Sequence, residues 1–132
     1  MRKLRASCLC GGITMAIVDD FTYFGLCHCS QCRKMSGSAF SAFAGVPFEN
    51  LEFLQGEERV CRFEKSPGNV VAFCDRCGSS LFGEHADRRL YHVRAGILDD
   101  EPTQKPTASY YFGSRSLWHD PDGQIKRHDT LG

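Results

Sequence analysis

A chain of 132 residues can build a single domain around one core without staples. Its 16 basic side chains balance 16 acidic ones, and the basic pairs (Arg2-Lys3, Arg33-Lys34, Arg88-Arg89, Lys126-Arg127) are scattered, so no nucleic acid or anionic membrane is expected as a partner. The apolar runs extend only a few residues, far short of a spanning helix.

The chain opens on Arg2, Lys3 and Arg5, but no apolar segment of export-signal length follows before Cys8-Leu9-Cys10-Gly11-Gly12. A cytoplasmic location is therefore expected. Ile13 to Val18 alternates like a half-buried strand and ends at the Asp19-Asp20 turn. Phe21 to Leu26 reads as a second strand, delivering the chain to Cys27-His28-Cys29-Ser30-Gln31-Cys32. Ser30 to Ser36 suits one short helical turn or a knuckle, which Gly37 ends. Ser38 to Val46 is a small, aromatic strand stopped by Pro47.

Leu51 to Gln55, Arg59 to Phe63 and Val70 to Phe73 are further short strands, separated by the turn compositions Gly56-Glu57-Glu58 and Ser66-Pro67-Gly68-Asn69. Ser79 to Gly83, Leu90 to Ala95 and Ala108 to Phe112 continue the series, with a two-proline connection over Glu101 to Pro106. From His119 onward the chain is polar and irregular. No segment holds helical periodicity for ten residues, so a mainly β, largely antiparallel domain is expected.

Eight cysteines allow 105 disulfide pairings. Reduced thiols in the cytoplasm and the C-x-C and C-x-x-C spacings favour metal instead. Cys27 and Cys29 share one face of an extended segment, and a tight turn through Ser30 and Gln31 returns Cys32 to them. Three converging thiolates suit zinc and are one ligand short of a closed tetrahedral site. Two divisions account for the clusters. One joins Cys29 and Cys32 to Cys74 and Cys77, as in a zinc ribbon, and leaves Cys8, Cys10 and Cys27 over. The other joins Cys8 and Cys10 to Cys74 and Cys77 and leaves Cys27, Cys29 and Cys32 as a separate set. Spacing alone does not choose, although only the second leaves no remainder outside Cys61.

Three stretches, Ser7-Cys8-Leu9-Cys10-Gly11, Cys27-His28-Cys29-Ser30-Gln31-Cys32-Arg33-Lys34-Met35-Ser36-Gly37-Ser38-Ala39-Phe40 and Phe73-Cys74-Asp75-Arg76-Cys77-Gly78-Ser79, resemble the glutathione-dependent formaldehyde-activating enzyme family, whose domain also occurs in centromere protein V. Ala95 to Asp100 and Ser114 to Trp118 match more weakly. The resemblance implies one zinc-binding domain over residues 1–132, with small antiparallel sheets in a β-tent pinned by a structural zinc. It implies that Cys8, Cys10, Cys74 and Cys77 are the structural ligands, and that Cys27, Cys29 and Cys32 hold a second, catalytic zinc. It thereby selects the second division. It also implies carbon–sulfur lyase or synthase chemistry on a small thiol adduct, joining formaldehyde to glutathione. Ala6 stands where the family often has Gly.

Such chemistry needs an open coordination position, where a bound thiol would lose its proton near neutral pH. Three thiolates weaken zinc as a Lewis acid, so neighbours must help activate a carbonyl. Arg33, Lys34, Ser36, Ser38 and the backbone near Gly37 are the candidates by proximity in sequence. Arg115 and Trp118 are a candidate clamp for an anionic substrate, with wall packing the plainer role for Trp118. His28 should point away from the metal of its neighbours. His85, His92, His119 and His128 have no ligand spacing and read as structural or surface residues, Cys61 as a buried hydrophobe or surface thiol, and Asp99-Asp100 as turn chemistry. The rival reading is a zinc-stabilised β module that binds a protein or nucleic acid without catalysis. A C-x-x-C redox protein would lack its βαβ setting.

Overall fold

The computed structural model describes residues 1–131. Strands β1 (Lys3–Ser7), β2 (Thr14–Val18) and β5 (Leu51–Gln55) form a three-stranded antiparallel sheet in the order β1-β2-β5. The others are β3 (Tyr23–Cys27), β4 (Ser41–Pro47), β6 (Val60–Ser66), β7 (Asn69–Cys74), β8 (Ser80–His85), β9 (Leu90–Arg94) and β10 (Ala108–Tyr110). They form a seven-stranded sheet in the order β10-β3-β4-β9-β8-β7-β6. The mainly β expectation holds, with one departure from antiparallel order: β10 runs parallel to β3, Ala108 opposite Gly25 and Tyr110 opposite Cys27. The one α-helix among the described residues, α1 (Ser30–Ser36), lies between β3 and β4, where the short turn is expected. No described helix is long and apolar enough to cross a membrane.

Strand alternation divides the large sheet into two unlike faces. Leu4, Ala6, Met15 and Ile17 of the small sheet cluster with Phe24, Ala44, Val46, Phe82 and Val93 of the large one, so the core lies between the sheets. Each fully buried Leu, Ile, Met or Phe there contributes roughly 1.5–3 kcal/mol. The neighbours that alternate with these residues, Tyr23, Phe43, Gly45, His92 and Arg94, lie on the opposite face of the same strands. That outer face is the floor of the site.

The segment after β9 ties back to the small sheet. Asp99 accepts from the Ser7 hydroxyl at 2.7 Å, and Asp100 accepts from the Arg5 backbone N–H at 2.8 Å. The aspartate pair is thus structural, as its composition suggests. Asp19 accepts from Arg2 at 2.8 Å and from the Thr103 hydroxyl at 2.6 Å, fastening the two-proline connection to the turn after β2.

Candidate functional site

Two groups of cysteines converge. Cys8 and Cys10 occupy the loop after β1, where Gly11 takes a left-handed φ of 76° and donates to the Cys8 carbonyl at 3.0 Å. Cys74 ends β7 and Cys77 sits in the turn before β8, where Gly78 (φ 76°) likewise donates to the Cys74 carbonyl at 3.0 Å. The two knuckles present four sulfurs within 4.8 Å of one another, with Cys8 to Cys10 at 3.5 Å and Cys10 to Cys74 at 3.8 Å. Sulfurs around a tetrahedral zinc, each about 2.3 Å from the ion, stand about 3.8 Å apart. The set therefore fits that ion, and all eight cysteines are free thiols. Backbone N–H groups of Ile13 and Arg76 point at the sulfurs of Cys8 and Cys74, as thiolates require. The Ser79 hydroxyl lies 3.2 Å from the Cys77 sulfur and accepts from Leu9 N–H at 2.9 Å, which links the knuckles a second time. Hydrogen bonds from Ser79, side chain first and then backbone, bring the Cys77 thiol down to about 5.

The second group is Cys27, Cys29 and Cys32, their sulfurs also within 4.8 Å of one another. Cys27 ends β3. Cys29 is the N-cap of α1, extended at φ −67° and ψ 161°, and its sulfur accepts from the Cys32 N–H at 3.4 Å. Gly37, left-handed at φ 66°, closes the helix by donating to the Arg33 carbonyl at 2.8 Å. One helical turn thus returns Cys32 to the end of the strand. Burial first, then the adjacent Cys27 and Cys29 thiols, push the Cys32 thiol up to about 12. Three thiolates at this spacing repel one another, and a divalent cation relieves that repulsion. The donor set fits a soft ion with one position to spare.

This second group opens into a cleft of about 630 Å³ on the outer face of the large sheet, and the four-cysteine group does not line it. Three cations face the cleft, Lys65 from β6, Arg88 from the β8–β9 turn and Arg94 from β9, and no carboxylate side chain joins them among the described residues. Arg94 donates from Nε to the Ser80 hydroxyl at 3.3 Å. Burial lowers its pKa, and the Cys32 and Cys27 thiolates act in the opposite direction. It is thus a half-buried cation within reach of the three-sulfur charge. Tyr23 and His92 share a hydrogen bond on the floor. Phe43 lies against His92 with centroids 4.8 Å apart, and His85 lies on its other side at 4.2 Å. Burial, then the charges of His85, Arg94, Arg88 and Lys65, push His92 down to about 3, so its imidazole is neutral.

The structure redistributes several sequence expectations. His85 and His92, read from sequence as structural or surface residues, line the cleft. Arg33, Lys34, Ser36 and Ser38 do not. Ser36 instead donates to the Phe40 carbonyl at 3.2 Å and accepts from Ser38 N–H at 3.2 Å, finishing the helix. Arg115 stacks on Phe112, 4.4 Å from its centroid, and Trp118 is 73% exposed, so neither forms a clamp or a wall of the cleft. Cys61 is an exposed thiol on β6. His28 is buried between Phe40 and Phe112 and does not line the cleft, as its position between Cys27 and Cys29 suggests. The signal for the missed residues was His92 and Arg94 alternating with Val93, polar groups on a strand that proves central. Its meaning depends on which strands flank it.

Two cysteine groups with the geometry of metal sites, one of them opening on a cationic cleft of a β fold, define the class. Residues 3–114 match the family model described as glutathione-dependent formaldehyde-activating enzyme, and the chain belongs to that family. A Penicillium rubens protein described as "Putative glutathione-dependent formaldehyde-activating enzyme" is 27% identical over 85% of this chain and 61% of its own length. A Colletotrichum graminicola protein of the same description is 24% identical over 84% of this chain and 60% of its own. The chain thus spans about three fifths of these two relatives. An uncharacterized lyase of Schizosaccharomyces pombe is 24% identical over 74% of this chain and 70% of its own. A crystal structure of a Rhodobacter sphaeroides protein shares the fold, with a TM-score of 0.63 at 19% identity, over 80% of this chain and 98% of that one.

Proposed function

We propose that this chain is a zinc-dependent carbon–sulfur lyase that forms and cleaves the adduct of glutathione with formaldehyde. In this reading Cys8, Cys10, Cys74 and Cys77 hold a structural zinc, while Cys27, Cys29 and Cys32 hold a second one. The second zinc, when bound, supplies a position at which a thiol is held as thiolate near neutral pH. The observation that carries the reading is the cleft, which puts three sulfurs and three cations on one wall system without a carboxylate. Glutathione brings two carboxylates, and Lys65 and Arg88 at the rim are placed to receive them by charge-assisted hydrogen bonds. Arg94 offsets the negative charge of the three thiolates. Phe43 and Tyr110 form apolar wall that keeps water from the reacting carbon. The lyase description of the S. pombe relative and the formaldehyde-activating description of the family support the same chemistry. A cytoplasmic location, where glutathione is the abundant thiol, suits it.

Exchange spectroscopy with ¹³C-formaldehyde and glutathione tests this. The protein carrying two zinc ions per chain is expected to speed interconversion of free and thiol-bound formaldehyde by at least about 100-fold over the protein-free mixture. Exchange at the uncatalysed rate in protein with both zincs present would remove the catalytic reading and leave the non-catalytic zinc module.

A further inference from the structure

The geometry points to Tyr23 as the catalytic acid and base at the aldehyde oxygen, with His92 as the residue that positions it. This rests on the carbon–sulfur chemistry proposed above. Tyr23 on β3 stands opposite Gly45 on β4, Gly45 stands opposite His92 on β9, and His92 stands opposite Gly83 on β8. One cross-strand row thus carries two functional side chains and two positions with no side chain. The missing side chain at Gly45 is what lets the pair meet. A Cβ there would lie 2.9 Å from Cε2 and Cζ of the Tyr23 ring, closer than real Cβ contacts. Tyr23 therefore lies across β4 to reach His92, and both residues line the cleft that Cys27, Cys29 and Cys32 also line.

The titratable and charged groups facing the pair are His85 from β8, Arg94 from β9, Arg88 from the β8–β9 turn, Lys65 from β6 and Tyr110 from β10. Burial raises the Tyr23 phenol, and the nearby Arg88 guanidinium works against that rise. The phenol is thus protonated at neutral pH and has a proton to give. The hydrogen bond joins the Tyr23 hydroxyl to Nε2 of His92, whose imidazole is neutral in its buried setting. In the tautomer with its proton on Nε2, the one assigned to it in the proposed step, His92 donates to the Tyr23 oxygen and leaves the phenolic proton free for the substrate.

The step balances. The thiolate lone pair forms the C–S bond, the carbonyl π pair moves to oxygen, and Tyr23 gives its proton to that oxygen, yielding the hemithioacetal hydroxyl. The phenolate left behind faces the His92 N–H and the Arg88 cation. It regains a proton from solvent, matching the proton that the thiol released on binding. In reverse, the phenolate takes the hydroxyl proton as the C–S bond breaks.

The test compares wild type, Tyr23→Phe, His92→Gln and His92→Leu in the exchange assay, with zinc content and circular dichroism measured on each. Tyr23→Phe is expected to lower kcat by 10²–10³-fold, in the range usual for a general acid, with KM within about twofold and two zincs retained. His92→Gln keeps an N–H near the position of Nε2 and should stay within about fivefold of wild-type kcat, whereas His92→Leu should fall by about tenfold or more. Gly45→Ala, which displaces the ring but keeps the hydroxyl, should lower kcat in the same direction as Tyr23→Phe and serves if that variant misfolds. An active wild type with kcat unchanged in Tyr23→Phe overturns this assignment alone. Equal losses in His92→Gln and His92→Leu overturn the positioning role. A wild type without exchange activity removes both the function proposed above and this step.

Discussion

The two cysteine groups offer nearly the same atoms and opposite architecture. Cys8, Cys10, Cys74 and Cys77 come from two loops, Cys10 and Cys74 standing 64 positions apart in the chain, and two of them are buried to 3% and 1% exposure. Closing a loop of that length costs roughly 4 kcal/mol of chain entropy, so a clip there stabilises the fold by restraining the unfolded chain. Cys27, Cys29 and Cys32 lie within a single strand-to-helix turn and close no long loop. They restrain little, and they face a cleft. Under the proposed function, ligand count and loop length together separate a clip from a reactive site, even where the residue type is the same.

Removing one ligand from each group gives the largest expected contrast. Structural zinc in small domains supplies on the order of 10 kcal/mol of apparent folding free energy, comparable to the whole stability of a domain. Cys77→Ser should therefore abolish cooperative thermal unfolding and leave a largely unfolded chain by circular dichroism. Cys32→Ser should unfold with a midpoint within a few degrees of wild type, bind one zinc fewer, and lose the exchange activity. If both variants unfold alike, the local group is also a clip and the division is wrong.

The sequence displayed the cysteine knuckles and the turn more clearly than the cleft, although spacing left open which knuckles join and only the family resemblance chose. Cysteine spacing is local information, and so are the left-handed glycines: Gly11, Gly37 and Gly78 each sit where a loop or a helix end needs positive φ. Strand alternation was legible at Val93, which is buried while His92 and Arg94 on either side are only half-buried. The cleft is different. Tyr23 and His92 are 69 residues apart and meet only because β4 lies between β3 and β9 in the sheet order. Nothing in Leu90 to Arg94 encodes that order. The placement of β5 in the small sheet, the parallel addition of β10 and the exposure of Trp118 were likewise decided by long-range packing, which periodicity does not carry.

The cleft should also reveal itself in the acid stability of the protein. Burial, followed by neighbouring cations, holds His92 at about 3, below its ordinary value of 6.5. A depressed histidine contributes its full stabilisation above about pH 6.5 and loses it as pH falls toward the folded value, because the unfolded chain then binds a proton that the native site resists. The expected slope reaches at most about 1.4 kcal/mol per pH unit within that window. Denaturant titrations of wild type and His92→Gln between pH 7 and 4 measure it, and the variant should show the shallower loss. Equal slopes would place the His92 ring in contact with water and weaken the contrast between a buried floor and an open rim.

The smallest expected effect concerns that rim. Lys65 faces the cleft from β6 and Arg88 from the β8–β9 turn, and neither belongs to a salt bridge among the described residues. Unpaired cations at a cleft mouth repel each other and gain from an anion, so replacing one should cost substrate binding without disturbing the chemistry. Lys65→Gln and Arg88→Gln are each expected to raise KM for glutathione by about 3- to 10-fold, the loss of about 0.7–1.4 kcal/mol that one solvent-exposed polar contact supplies. The kcat of Lys65→Gln should stay within about twofold, since a contact made equally in ground and transition states moves KM alone. Arg88 also faces Tyr23, so its variant should lose some kcat as well. The difference between the two variants separates a cation that only holds the substrate from one that also supports the phenolate. Unchanged KM in both would assign substrate orientation to the sulfur end of the cleft, leaving the rim as ordinary solvated surface.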